Sequence, residues 1–361
     1  MKNSIVISLL SSLIIFSCSS PKSSENKETP GENKVAETFE LKPHFGETES
    51  NYYVADSIAG HIHQPNTIKE FKWPEHPLGK LVIKTNNLGF KEDSDTKIEK
   101  NSNTFRVIVT GDSHIDGVVY NSESFPNQLE EMINLKVSGN DVAWEIINAG
   151  AGYYGPQNYF GVLKRFESLK PDLFIVTIYI GNDFLDAVRI ENENNRLTVP
   201  ERKDDYYYDL WAVDEKHPGF TGQLMNQVKF FKKFPEFKTT AISITQKQLT
   251  LIKEQCDKNK IGLYILLLPT KVDVEPATDE ASIKDVQSML KFSNDDLKIN
   301  RELTEKLIEW LKTNNLNYVD LYDNWKEKKG TEELFWKADY HLNDKGHKSI
   351  AEIMQPIISQ H

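Results

Sequence analysis

The sequence is short of four things, and each shortage removes a class of protein. It holds two cysteines, Cys18 and Cys256, in 361 residues, so no disulfide framework organises it. Lys and Arg number 43 against 54 Asp and Glu, a formal net charge of −11. Without a basic stripe to displace phosphate counterions, nucleic acid is excluded as a partner. No apolar run reaches the roughly 20 residues that a membrane-spanning helix needs. No P-loop, dinucleotide fingerprint or His-Glu-x-x-His pattern occurs. His61-Ile62-His63 has the spacing of a two-His metal edge, but no Cys or carboxylate cluster completes it. Neither a metal nor a cofactor is expected.

What is present begins with a secretion signal. Lys2 gives a basic start, Ile5 to Phe16 form a short apolar run, and Ser17-Cys18 follows; the run has the length of a signal-peptide core. Ile15-Phe16-Ser17-Cys18 resembles a bacterial lipobox, with Phe16 bulkier than the usual residue. The expectation is a lipoprotein signal peptide over residues 1–18, lipidated on Cys18. The protein would then be exported and anchored to the cell envelope, facing the periplasm or the surface, with the membrane as a partner through that lipid. The alternative is an ordinary signal peptide in which Cys18 is incidental. Residues 19–37 are rich in Ser, Lys, Glu, Asn and Pro, a composition that cannot offset its ordering entropy and reads as a tether. Lipidation of Cys18 would leave Cys256 as a lone, partly buried thiol.

From residue 38 to 103 aromatics and His are scattered among turn formers, and short runs such as Leu81-Val82-Ile83 predict a small β-rich extension. From residue 104 to 361 strands and helices alternate, which predicts a doubly wound, mainly parallel sheet between helices. The strands fall at Arg106–Thr110, Trp144–Ile147, Phe174–Tyr179, Leu263–Leu268 and Tyr318–Leu321. The helices fall at Phe125–Leu135, Thr240–Asn259, Glu302–Thr313 and through Ser349–Ile358. Two stretches, about 186–235 and 271–295, break the rhythm and read as insertions that roof a site.

Ligands of open parallel sheets bind at the carboxyl ends of the strands. Four polar segments fall there: Gly111-Asp112-Ser113, Asn148 to Gly155, Gly181-Asn182-Asp183 and Asp339-Tyr340-His341. Ser113, in a sharp turn after a buried strand, is either a nucleophile or, with Asp112, a cap for the next turn. Asp339 and His341 point the same way if the backbone is extended, giving a base with its orienter; otherwise they are a surface pair before a helix capped by Asn343. Acyl transfer also needs donors for an oxyanion. The Asn182 amide, the Ser113 N–H and a backbone N–H from Gly152 or Tyr153 are the candidates. Asn182 in an Asx-turn and the glycine-rich stretch as a plain loop are the structural alternatives. His114, Tyr154, Asp183, Tyr207 and Trp211 are candidates to line the substrate, although His114 next to the nucleophile and the aromatics of the first insertion equally suit packing.

These four segments, in the order Ser, Gly, Asn, His, resemble the SGNH (GDSL-like) hydrolase superfamily over roughly residues 85–360. Thr85-Asn86-Asn87-Leu88-Gly89-Phe90 resembles a segment preceding the catalytic domain in some bacterial members. The resemblance implies a flavodoxin-like three-layer α/β/α fold and a serine ester hydrolase that cleaves O-acyl groups of a carbohydrate or short-chain esters. Ser113 would be its nucleophile, His341 its base and Asp339 the orienter, with Asn182 and the second-block backbone as the oxyanion hole. Two departures stand out. The family's usual Asp-x-x-His spacing would put the acid at Ala338, and the shorter spacing here resembles the alginate-acetylation branch. Tyr153 stands where a glycine is usual. A carbohydrate O-acetyltransferase, or a glycan-binding lipoprotein without catalysis, are the rival readings.

Overall fold

The computed structural model describes residues 39–45, 51–136, 142–326 and 333–360. The expected signal peptide, Cys18 and the whole of the expected tether lie outside the described residues.

The N-terminal extension is two antiparallel hairpins. Strands β1 (Tyr53–Asp56) and β2 (Gly60–His63) form one; β3 (Ile68–Lys72) and β4 (Lys80–Lys84) form the other. The β-rich expectation holds here. Five further strands, β5 (Thr104–Thr110), β6 (Ala143–Asn148), β7 (Leu173–Tyr179), β8 (Gly262–Leu268) and β9 (Tyr318–Asp320), form one parallel sheet in the order β6-β5-β7-β8-β9. That is the flavodoxin-like order, in which the chain goes to one side of its first strand and then returns to the other. The switch point therefore lies at the carboxyl ends of β5 and β7.

Every residue of β7 is buried, and the twofold alternation of a strand feeds two cores. Phe174, Val176 and Ile178 enter one cluster with Val162, Leu249 and Leu303. Leu173 and Ile175 enter the other with Leu129, Ile350 and Met354. Each such side chain contributes about 1.5–3 kcal/mol on full burial, which is why so uninterrupted an apolar run must be a central strand. The helices follow in chain order: α1 (Ser113–Asp116), α2 (Phe125–Lys136), α3 (Pro156–Arg165), α4 (Asp183–Glu193), α5 (Asp204–Lys216), α6 (Asn226–Lys233), α7 (Phe237–Asn259), α8 (Lys271–Val274), α9 (Pro276–Leu290), α10 (Ile299–Thr313), α11 (Leu321–Trp325) and α12 (Asp344–Ile358). Helices α2 and α12 cover one face of the sheet, and α3, α4, α7 and α10 the other. The result is the three-layer α/β/α sandwich expected.

The two stretches that broke the rhythm are helical. Asp186 lies inside α4, so the first interruption starts after Glu193 and carries α5, a five-residue π-helical turn (Thr221–Met225) and α6; the second carries α8 and α9. Consecutive aromatics and charges in α5, Asp-Asp-Tyr-Tyr-Tyr-Asp-Leu-Trp, hide its helical period. Cys256 is fully buried in α7, and burial pushes its thiol up to about 12, so it is an unreactive packing residue.

Candidate active site

Strand β5 ends at Thr110, and the chain turns through Gly111 and Asp112 into the single turn of α1. Asp112 is the N-cap: its Oδ1 accepts from the His114 N–H at 2.9 Å. The capping role expected as an alternative thus belongs to Asp112 and leaves the Ser113 hydroxyl uncommitted to the backbone. Ser113 Oγ lies 2.8 Å from His341 Nε2. His341 Nδ1 lies 2.6 Å from Asp339 Oδ1. An anionic partner on Nδ1 places the ring proton there and leaves the Nε2 lone pair for the serine.

The way Asp339 and His341 meet differs from expectation. The backbone between them is a turn, with Tyr340 at φ +70°, not an extended strand. The Asp339 carboxylate accepts from both the His341 N–H (3.3 Å) and the imidazole, which is the short-range bonding an Asp favours in turns. The left-handed Tyr340 is held by burial of its ring against Phe220, 4.5 Å between centroids. Beyond it, Asn343 caps α12 by accepting from the Gly346 N–H at 2.9 Å, as the sequence indicates.

Burial lowers the proton affinity of His341, but the charge and hydrogen bond of Asp339 outweigh it and the net displacement is upward. Asp112, wholly buried, is pushed up to about 6 by that burial, against the pull of the His114 N–H, the His341 charge and the Asn182 amide.

Asn182 occupies the N-cap position of α4 yet makes no capping bond with its side chain. One amide hydrogen reaches Asp112 Oδ2 at 3.3 Å, so the amide faces the serine turn. In the second block, Asn148 at the end of β6 ties the parts together: its amide donates to Ile115 O (2.9 Å) and its Oδ1 accepts from the Gly150 N–H (3.1 Å). Gly152 is corrected as an oxyanion donor, because its N–H already donates to the Tyr53 hydroxyl at 3.0 Å. Tyr153, at the place usual for glycine, adopts φ +65°, the left-handed region that glycine occupies without cost. Arg189 of α4 secures it by donating to its carbonyl at 2.8 Å. Ser113, Tyr153, Asn182 and Asp339 are all partly exposed, and the residues on either side of the first three are buried, so these four side chains mark where the site opens to solvent.

Three expected lining residues are buried beneath these side chains instead. His114 is buried, its ring tilted against that of Tyr179 with centroids 3.8 Å apart. Asp183 is buried and accepts from the Tyr159 hydroxyl and from the Tyr179 N–H at 2.8 Å. Tyr154 is buried with its hydroxyl donating to the His61 carbonyl. Neighbouring a motif residue in sequence sends a side chain to the opposite side of the turn, and these three went inward. Tyr207 and Trp211 stand on α5 with ring centroids 6.3 Å apart, Tyr207 half-buried and Trp211 41% exposed.

Sequence reasoning missed a second layer of polar residues supplied by the extension. The Tyr53 hydroxyl accepts from Gly152 and donates to Asp116 Oδ2 at 3.2 Å. His63 Nε2 lies 3.1 Å from Asp116 Oδ1. His61 Nε2 donates to the Gly152 carbonyl at 2.9 Å. Lys91, fully buried, donates to the carbonyls of Asp116 (2.7 Å), Gly117 and Val119 (2.9 Å), and burial brings its ammonium down to about 8. The alternation of His61 and His63 on one face of β2 was the one available signal; it marks a buttress. Among the described residues no cluster of His, Cys, Asp or Glu could hold a metal ion.

The geometry thus defines a serine–histidine–carboxylate site at the switch point of a flavodoxin-like sheet. The family model for GDSL-like lipase/acylhydrolase matches residues 107–354, more than half of the chain, and the protein belongs to that family of ester-hydrolysing enzymes. No curated protein matches the chain. Among solved structures, a member of the lipolytic protein G-D-S-L family from Veillonella parvula is similar at 13% identity and a TM-score of 0.39, over 71% of this chain and 99% of that one. An acetylxylan esterase from Geobacillus stearothermophilus is similar at 12% identity and 0.38, over 70% and 94%. A GDSL-like lipase from Bacteroides thetaiotaomicron is similar at 14% identity and 0.36, over 71% and 88%. With all three scores under 0.5, the family rests on the matched residues and the fold on the strand order above.

Proposed function

We propose that Ser113 is the nucleophile of a two-step acyl transfer in which His341 is the base and Asp339 its orienter. The observation that carries this is the unbroken relay from Asp339 Oδ1 through His341 (2.6 Å) to Ser113 Oγ (2.8 Å). Ser113 Oγ attacks the ester carbonyl as its proton passes to His341 Nε2. The carbonyl oxygen, now negative, is received by the Asn182 amide and the backbone N–H groups of Ser113 and Tyr153. The C–O bond of the ester breaks and the alcohol leaves with the His341 proton. Water, deprotonated by His341, then releases the acyl group and restores the hydroxyl.

The substrate we propose is an O-acylated carbohydrate or a short-chain ester. A partly exposed serine suits an ester presented on a larger molecule, and exposed Tyr208 and Trp211 offer aromatic surface on the first insertion. Cleavage of short-chain aryl esters by the native protein, abolished in Ser113→Ala, is the expected result; equal turnover in both would sink the nucleophile assignment. The short Asp-x-His spacing favours one second reading, transfer of the acyl group to a sugar hydroxyl in place of water. Product analysis with an acceptor glycan separates them.

The envelope address is part of the proposal and rests on the sequence of residues 1–18. Fatty-acid labelling and membrane fractionation, lost together in Cys18→Ala, test it; a labelled Cys18→Ala protein would refute it.

A further inference from the structure

The first insertion places one polar side chain against the base. Gln223 lies in the π-helical turn Thr221–Met225, 118 residues from His341 in sequence. Single π-turns are rare and concentrate at functional sites. This one is wedged between two of the site's loops. A Cβ on Gly181, which opens the Gly-Asn-Asp turn, would meet the Gln223 carbonyl at 2.2 Å. A Cβ on Gly219, at φ +87°, would meet the carbonyls of Ala338 and Asp339 at 2.5 and 2.8 Å. The Tyr179 hydroxyl donates to the Gln223 carbonyl at 2.8 Å. The backbone of Gln223 therefore packs on the turn that carries Asn182, and the chain just before its π-turn, at Gly219, packs on the loop that carries Asp339.

Its amide has one self-consistent orientation. The Leu342 N–H donates to His114 Nδ1 at 3.3 Å, so the neutral ring of His114 carries its proton on Nε2. That proton goes to Gln223 Oε1 at 3.0 Å. The Gln223 NH₂ is then the end that faces His341 Nε2, at 3.2 Å. Since Nδ1 of His341 donates to Asp339, two donors, the Ser113 hydroxyl and the Gln223 amide, converge on a single lone pair.

We propose that Gln223 is a positioning residue for the base: it holds the neutral imidazole of His341 through Nε2 and opposes its protonation. The inference rests on the reading of His341 as the base. When Nε2 takes a proton, the Gln223 N–H loses its acceptor and meets another N–H, so the amide favours the neutral ring, against the pull of Asp339. The other charged or titratable groups facing His341 are Asp112, His114 and Asp116 from the turn after β5, and His347 from α12. None of these donates a hydrogen bond to Nε2, so Gln223 acts on the proton's own site.

The test is the pH dependence of kcat/KM on an aryl ester for the native protein, Gln223→Met and Gln223→Glu. Activity requires neutral His341, so its titration sets the acid limb. Gln223→Met should move that limb up by about half a unit to one unit, the equivalent of one net hydrogen bond. Gln223→Glu, equal in shape and bearing a charge that favours the imidazolium, should move it further the same way. If Met at this position prevents folding, the Glu variant reads the same limb. An acid limb that stays in place in a folded variant, with only KM altered, overturns the inference and assigns Gln223 to packing or substrate contact. A Ser113→Ala protein as active as the native would instead fail the underlying reading, an outcome the pH shift cannot mimic.

Discussion

The catalytic body and the N-terminal extension meet at the same site but contribute opposite kinds of residue. The body supplies Ser113, Asn182, Asp339 and His341, three of them partly exposed and all at ends of parallel strands or in the loop before α12. The extension supplies Tyr53, His61, His63 and Lys91, all buried, whose partners are the carbonyls, N–H groups and the Asp116 carboxylate that shape the turns beneath. On the proposed reading, one set faces the ester and the other fixes where the first set stands. The difference predicts that body variants lose the chemical step, whereas extension variants lose stability first and rate second.

The largest effect is expected from Asp339→Asn. An amide in place of the carboxylate removes the charge that raises His341 and admits the wrong ring tautomer. Loss of kcat should be on the order of 10⁴-fold, as for orienting carboxylates of such triads. A loss under tenfold would make the Asp339–His341 pair a surface contact and erase the distinction between the regions. Next comes Asn182→Ala, expected to cost about 10²–10³ in kcat with KM nearly unchanged. Its side chain makes no cap and only a long bond to Asp112, 3.3 Å, so unfolding should move by about 1 kcal/mol or less, and a large drop in stability would instead class Asn182 with the buttress.

How much of this contrast could be read beforehand follows from the range of each interaction. The uninterrupted burial of Leu173–Tyr179 and the cap at Asn343 are local patterns, and the sequence displays them directly. The four polar segments at strand ends were legible because the doubly wound fold sends such ends to one edge. The fold does not dictate which way the next side chain turns, so His114, Tyr154 and Asp183 were read as lining and proved to be underneath. The left-handed φ of Tyr340 broke the extended reading of Asp339–His341, since nothing in Asp-Tyr-His announces a turn that Phe220 holds from another element. Gln223, Tyr53 and Lys91 were invisible for a related reason. Each acts on residues from 25 to 118 positions away, and a buried lysine in Gly-Phe-Lys-Glu looks like any solvated one.

Lys91→Met probes the buttress at its strongest point. Methionine fills the volume but leaves the carbonyls of Asp116, Gly117 and Val119 without their donor, just after the single turn that begins with Ser113. Unsatisfied buried acceptors cost about 1–3 kcal/mol each before relaxation, so a net loss of about 2–4 kcal/mol in urea unfolding is expected. The rate at a temperature where the variant is folded should fall far less than in Asn182→Ala. A variant as stable as the native would mean that water reaches those carbonyls, and that the extension is a cover and not a support.

Tyr53→Phe is the smallest and most discriminating change. It keeps the ring that packs against His61 and His63, 4.8 Å between centroids in each case, and removes one oxygen. That oxygen accepts from Gly152 and donates to Asp116, and burial, with the nearby Asp116 charge, keeps it protonated far beyond working pH. Without it the Gly152 N–H is buried with no acceptor, so about 1 kcal/mol of stability should go. The next residue is Tyr153, whose N–H is proposed for the oxyanion and whose left-handed backbone is held on its carbonyl side by Arg189. Relaxation of that peptide would misplace the donor in the transition state more than in the bound ester, so kcat should fall several-fold with KM unchanged. A fall in stability with kcat intact would confine the extension to folding, and a fall in kcat would make it part of the site.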